Sequence, residues 1–314
     1  MLGYQTTLRE RVEFSGVGVH SGQPVSMALV PAEANCGILF SITDPDSGRT
    51  IDLPANINSV GATDLCTVLG NPAGVHVATV EHLLAALRAL NVDNVVVEID
   101  SAEVPVMDGS AHEFVEAIRA VGLASLPERR CYIRIARPVR VEMGASWAEF
   151  VPYAGTRFEV EIDFDCEVIG RQLFRADLNE DVFTRELSRA RTFGFMKDVE
   201  RLWAAGFALG SSLDNSVVIG DGNRIINPEG LRFPDEFVRH KALDAVGDLA
   251  LAGAPFIGCF RSYRGGHKLN SAILRTLLSD ASAFEFVGAT VTRPRVGHGE
   301  LVAVSAPAYA AVLN

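Results

Sequence analysis

The sequence has no apolar run long enough to cross a bilayer. Its richest stretch, residues 242–260, is interrupted by Asp244 and Asp248, whereas a spanning helix needs about 20 predominantly apolar residues. The first fourteen residues carry Arg9, Glu10, Arg11 and Glu13 where a secretion signal needs an apolar core. A cytoplasmic location without an integral membrane segment is therefore expected. Cysteine is also sparse. Cys36, Cys66, Cys131, Cys166 and Cys259 are odd in number, scattered and never spaced as a Cys-x-x-Cys pair. That argues against a disulfide framework or a thiolate zinc cluster and leaves most of them as buried thiols. Lysine is scarcer still, with Lys197, Lys241 and Lys268 the only ones among 28 basic residues. Lysine and arginine are not chemically interchangeable, so positions that kept lysine draw attention. A net charge of -11 is at odds with the clustered cations of a broad nucleic-acid surface, and no nucleic-acid partner is expected beyond what a local basic pocket would take.

What is present is enough for a sizeable core: 314 residues at 48% hydrophobic content, a length that favours two domains over one. Strand-like segments cover residues 5–14, 25–30 and 37–42. The apolar spacing of residues 79–90 predicts a helix with Thr79 as its N-cap. A β-branched strand at 95–99, a turn at 107–110 and a helix at 112–121 follow. The second half repeats the order, with strands at 130–142 and 148–164, a helix at 235–251, a strand at 256–263, a Gly265-Gly266 turn and a helix at 270–278. Shifted by 158 residues, His82 falls on His240. A weak internal duplication predicts two α+β units with their long helices face to face. Chance alignment of two ordinary sheet-plus-helix domains is the competing reading. The composition around residues 126–129 places the boundary there, giving units 1–127 and 128–314, with extra material at 185–224 in the second.

On the predicted helix 235–251, His240, Asp244 and Asp248 recur at i, i+4 and i+8 and share one face. An imidazole and two carboxylates on an otherwise apolar helix are costly to bury unless something compensates them, and a divalent cation does so directly. A solvated stripe on a surface helix is the alternative. His82 on the other long helix would complete a set of two histidines and one carboxylate, which leaves a tetrahedral position open, as in catalytic zinc sites. Glu81 beside it has the chemistry of a general base. His267, in the loop Arg264-Gly265-Gly266-His267-Lys268, could give a proton to a departing amine if Asp248 keeps it charged. Taken alone it reads better as an exposed loop histidine. His20 fits a substrate loop, and His76, His112 and His298 are expected at the surface.

The motifs SGVGVHSG (15–22), TVEHL (79–83), PVMDGSA (105–111), SRARTFGF (188–195), LRF (231–233) running on to Asp248, and Gly266-His267 together resemble the UDP-3-O-acyl-N-acetylglucosamine deacetylases, zinc amidases of lipid A synthesis in Gram-negative bacteria. The resemblance covers essentially the whole chain. It implies a duplicated α+β fold, each unit a sheet packed on two helices, with the active site between the units. It implies hydrolysis of the N-acetyl group of an acylated UDP-sugar, giving the free amine and acetate. The metal would sit on His82, His240 and Asp244, with zinc as the ion and Fe(II) the other one this nitrogen and oxygen set suits. Glu81 would activate water, His267 supported by Asp248 would protonate the amine, and Thr192 and Lys241 would stabilise the oxyanion or orient substrate. Phe193, Asp198, Val19, Cys66 and Gly210 would contact substrate or lie beside it. A monomer is expected. Residues 185–224 would form the acyl passage, with Phe193, Phe195, Val199, Leu202, Trp203, Phe207 and Leu209 as lining, although the same residues suit an ordinary core. Two departures stand out: Ser146 where many relatives are basic, and Gly210-Ser211 where some have Gly-Gly. Another metal-dependent amidohydrolase, or a non-catalytic lipid carrier with a structural polar helix, are the competing functions.

Overall fold

The structure is a computed structural model that describes residues 3–43 and 48–288. It is a mixed α+β fold. A five-stranded sheet runs in the order Val12–Val17, Pro24–Pro31, Val95–Ile99, Ile38–Thr43 and Thr50–Pro54. Its neighbours are antiparallel except Val95–Ile99 against Ile38–Thr43. Val95, Val97 and Ile99 point into the core, as β-branched residues in a central strand do. Helix α1 (Glu81–Ala89) is buried throughout except at Arg88. Helix α2 (His112–Val121) buries Phe114, Val115 and Ile118, a helical spacing that sets Phe114 edge-on to Phe14 with ring centroids 5.1 Å apart.

The second large sheet contains seven strands. Its main path is Val139–Met143, Ser146–Val151, Phe256–Tyr263, Tyr132–Ile135 and Phe284–Val287. Thr156–Asp163 joins Phe256–Tyr263 in parallel and carries Arg171–Asp177 on its other edge. A single turn, α3 (Glu180–Val182), and a π-helical turn Phe183–Leu187 lead to a small sheet of Phe193–Phe195, Val217–Gly220 and Arg224–Ile225, with helix α4 (Met196–Ala204) between its first two strands. Helices α5 (Glu236–Ala250) and α6 (His267–Leu278) complete the chain as described.

The order of long helix, parallel-paired strand and second helix thus occurs twice, as α1, Val95–Ile99, α2 and as α5, Phe256–Tyr263, α6. The two long helices pack on each other. Gly247 permits the contact: a Cβ there would lie 1.9 Å from the Glu81 carbonyl oxygen, so only a residue without a side chain lets the backbones approach so closely.

Several local expectations change. Thr79 is not a cap. It takes a φ of 58°, its hydroxyl donates to Glu103 Oε1 at 2.9 Å, and Val80 precedes the first turn of α1 without a side-chain cap. The long segments expected at 130–142 and 148–164 are each divided in two. Pro138 and Pro152 fall in the gaps, since proline has no amide hydrogen for the ladder. Residues 126–129 lie in the strand Leu123–Arg129, which pairs with Tyr4–Leu8. Helix α6 begins at His267, three residues before the expected start. All five cysteines are free, with Cys66, Cys166 and Cys259 buried and Cys36 exposed. His298 and the end of the expected second unit, residues 289–314, lie outside the described residues.

Candidate active site

The close approach of α1 and α5 brings the first turn of one against the middle of the other. Glu81, His82, His240, Asp244 and Asp248 are all buried there, so the solvated-stripe reading of α5 does not hold. The His82 and His240 rings stand edge to face with centroids 5.0 Å apart. Asp244 Oδ1 faces both, 3.5 Å from His82 Nε2 and 3.3 Å from His240 Nε2.

The orientation of His240 is held from behind. Its Nδ1–H donates to the Ala190 carbonyl at 3.0 Å, which leaves Nε2 as a lone pair aimed at Asp244, and burial pushes the imidazole pKa down to about 3. A neutral imidazole lone pair and a carboxylate oxygen facing each other need a cation between them. Asp244 Oδ1 is buried and has no hydrogen-bond partner, an arrangement that costs free energy unless a cation satisfies it. Two imidazole nitrogens and one carboxylate oxygen within 4.8 Å of one another form a donor set suited to zinc. Asp244 Oδ2 is separately satisfied by Lys241 Nζ at 2.9 Å.

A second buried group adjoins the first. His267 Nδ1 donates to Asp248 Oδ2 at 2.9 Å, and its Nε2 lies 3.8 Å from Glu81 Oε1. Burial opposes a charge on His267, but the carboxylates of Asp248 and Glu81 outweigh it and lift the pKa to about 9. Burial also pushes the Glu81 carboxyl up, against the pull of the His267 charge. Two titrating groups with opposite tasks thus sit within reach of one another.

Around these clusters, an open cleft of about 390 Å³ is lined by Thr63, Asp64, Ser146, Lys241, Arg264, His267 and Lys268, among others. Two of the three lysines meet here, beside one arginine, so the cleft is cationic in an otherwise acidic chain. Phe193 packs edge-on against Phe237 at 4.9 Å, with its centroid 6.2 Å from that of His240, and Lys241 Nζ lies 5.6 Å from the Phe193 ring centroid. Thr192 is held in the same segment, its N–H donating to the Gly109 carbonyl and its carbonyl accepting from Val217. Val19 and Gly210 are neighbours, joined by the Gly210 N–H to the Val19 carbonyl at 3.1 Å, and a Cβ on Gly210 would lie 2.2 Å from the Gly18 carbonyl oxygen.

A family model described as LpxC: UDP-3-O-acyl N-acetylglycosamine deacetylase matches residues 5–279. The chain belongs to this family. Relatives named UDP-3-O-acyl-N-acetylglucosamine deacetylase in Brucella ovis and Brucella canis are each 60% identical over 92% of this chain and 100% of their own length. One from Brucella melitensis is 59% identical over the same shares. Within this deacetylase fold, Asp198 on α4 pairs with Arg201 of its own helix at 2.8 Å. Cys66 is buried at the edge of the second cluster, and burial pushes its thiol up to about 12, so it is no nucleophile. Trp203, Phe207 and Leu209 are exposed, which removes the ordinary-core reading of those three.

Sequence reasoning passed over several residues that shape this deacetylase site. Thr67 and Asn270 hold Asp248, at 2.6 and 2.8 Å. Fully buried Arg191 binds Glu236 at the head of α5 and so secures the segment whose Ala190 carbonyl orients His240. Glu103, also buried, accepts from the backbone amides of His20 and Ser21 and from the hydroxyls of Ser21 and Thr79, which fastens the His20 loop to the start of α1. A charged residue inside the SRARTFGF motif was the one visible signal among these. The others act across the chain, where spacing carries no information.

Proposed function

We propose that this deacetylase removes the acetyl group of a UDP-3-O-acyl-N-acetylglucosamine with a single metal ion, zinc or alternatively Fe(II), held by His82, His240 and Asp244. The observation that carries the reading is the unpartnered Asp244 oxygen facing two imidazole nitrogens. Zinc at such a site supplies Lewis acidity toward the amide carbonyl and lowers the pKa of water.

The chain's own groups account for the proton transfers. Glu81, whose carboxyl burial pushes up, takes the proton of the attacking water as its oxygen bonds the acetamide carbon. The Thr192 hydroxyl and the Lys241 ammonium stabilise the carbonyl oxygen as negative charge develops on it. His267, charged below about pH 9, gives a proton to the nitrogen as the C–N bond breaks, releasing acetate and the free amine. Asp248 orients it through Nδ1. Lys268 and Arg264 in the same cleft suit the diphosphate of a UDP-sugar, with Ser146 offering a hydroxyl there. Phe193, Asp198, Val19, Gly210 and Cys66 belong to the substrate surround, and the exposed apolar residues of 185–224 receive the acyl chain. We take residues 1–127 and 128–314 as the two units that flank the substrate, in a monomer located in the cytoplasm. No described helix is long and apolar enough to cross a membrane.

Deacetylation of the acylated UDP-sugar, measured with and without a chelator, tests this. Activity should disappear on metal removal and return with added zinc, and Glu81→Ala should be nearly inactive while still binding metal. Undiminished turnover in a metal-free, folded protein would overturn the proposal. A short N-acetyl sugar turned over as readily as the acylated nucleotide would instead favour a different amidohydrolase.

A further inference from the structure

Thr67 is 1% exposed and directs three groups at two helices. Its N–H donates to Glu81 Oε2 at 3.1 Å. Its hydroxyl donates to Asp248 Oδ1 at 2.6 Å. Its carbonyl accepts the Val80 N–H at 3.4 Å, at the head of α1. One buried residue therefore touches both carboxylates of the proton-transfer cluster. It joins α1 to a position on α5 that is 181 residues away in sequence.

The consequence lies in where the proton between Asp248 and His267 can sit. Asp248 Oδ1 takes the Thr67 hydroxyl, and Oδ2 takes both Asn270 Nδ2 at 2.8 Å and His267 Nδ1 at 2.9 Å. An amide NH₂ donates only, and a hydroxyl contact of 2.6 Å has the length of a bond to a charged acceptor. Asp248 thus meets two donors besides the imidazole, both of which bind its carboxylate form, and it is itself only 2% exposed. The shared proton then stays on His267 Nδ1, and Nε2, which faces Glu81 Oε1 at 3.8 Å, becomes the position that exchanges with substrate.

We infer that Thr67 is a positioning residue for the deacetylation: through its hydroxyl it keeps Asp248 an acceptor and so holds the His267 Nδ1–H on that carboxylate, which aims the Nε2–H of the charged ring at the leaving nitrogen. The inference rests on the reading of His267 as proton donor. Its buried position keeps Thr67 off the substrate, so its loss should act on turnover and not on binding. Thr67→Val conserves shape and the backbone N–H while removing the hydroxyl alone.

The test compares wild type, Thr67→Val, Thr67→Ala, Thr67→Ser and His267→Ala as full, metal-loaded chains. It measures kcat and KM on the acylated UDP-sugar, thermal melting, and, by ¹⁵N NMR above about pH 9 where the ring is neutral, the tautomer of His267. Loss of one hydrogen bond to a charged group should lower kcat of Thr67→Val by about ten- to a hundredfold, with KM within about twofold. Thr67→Ser should recover most of it, and the NMR signal of Thr67→Val should show His267 leaving the single Nδ1–H form. If Thr67→Val does not fold, Thr67→Ala against Thr67→Ser supplies the same comparison. Wild-type kcat and an unchanged tautomer in the folded variant overturn the inference, as does a Thr67→Ser variant as impaired as Thr67→Val. Wild-type turnover in His267→Ala would overturn the proton-donor reading instead, and the tautomer signal would still decide whether Thr67 fixes the imidazole.

Discussion

At the scale of single residues, one imidazole is held neutral and another charged within the same buried site. His240 is pushed down to about 3 by burial, with its Nδ1–H tied to a carbonyl, which suits a ligand nitrogen. His267 is lifted to about 9 because its neighbouring carboxylates, Asp248 foremost, outweigh the same burial, which suits a proton donor. A donor active in its charged form loses activity as pH rises through that value, so kcat should fall above about pH 9. Asp248→Asn, which removes the largest of the raising charges, should move that alkaline fall to lower pH, as a kcat profile from pH 6 to about 10 will show. The stability linkage has the same sign. A pKa raised from 6.5 to about 9 stabilises the fold below the lower value, and that contribution is lost as pH rises through the upper one. A profile of Asp248→Asn that superimposes on wild type would count against the assignment. The candidate ligands were legible in sequence because i, i+4 spacing on one helix is geometric. Thr67 and Asn270 were not, since they reach Asp248 from other elements.

At the scale of elements, the site depends on how closely α1 and α5 approach. Gly247 sits where any side chain would strike the Glu81 carbonyl, one residue from Asp248 and opposite the residue proposed as base. Gly247→Ala should force the helices apart, with an overpacking cost of about 1–3 kcal/mol. A lowered melting temperature together with a larger loss of kcat than of stability is the expected result. An alanine variant with unchanged melting and turnover would show that the contact relaxes freely. The helices themselves were predictable from apolar periodicity. Their contact was suggested by the duplication, whereas the glycine that permits it has no signature in a single sequence. Thr79 shows the opposite failure: a residue with the chemistry of a cap serves Glu103 instead, because the chain turns into a left-handed conformation before α1.

For the molecule as a whole, an acidic chain presents a cationic cleft on one side of the buried clusters. The segment 185–224 carries exposed Trp203, Phe207 and Leu209. Phe207 stacks edge-on against His20 at 5.8 Å, and Leu209 donates its N–H to the His20 carbonyl, so the apolar surface is fastened to the loop that Glu103 anchors. A substrate with a charged nucleotide and an apolar tail matches that division. Phe207→Ser should raise KM for a long-acyl substrate by about tenfold, the order expected for losing part of an aromatic contact, and leave KM for a short-acyl analogue nearly unchanged. Equal effects on both substrates would mean that Phe207 supports the fold and does not meet the acyl chain.

The amino-acid sequence by itself determined the helices, the β-branched strands, the rarity of lysine and the set of histidines and carboxylates that share a helix face. These follow from periodicity and residue chemistry, both of which are local. Which atoms meet was decided by tertiary structure alone. The Asp244 oxygen left without a donor, the Ala190 carbonyl behind His240, the gap filled by Gly247 and the Thr67 hydroxyl on Asp248 all join residues far apart in the chain. Burial lowers the pKa of both His240 and His267, and only beside His267 do the neighbouring carboxylates outweigh it, so the two rings end with opposite charge states.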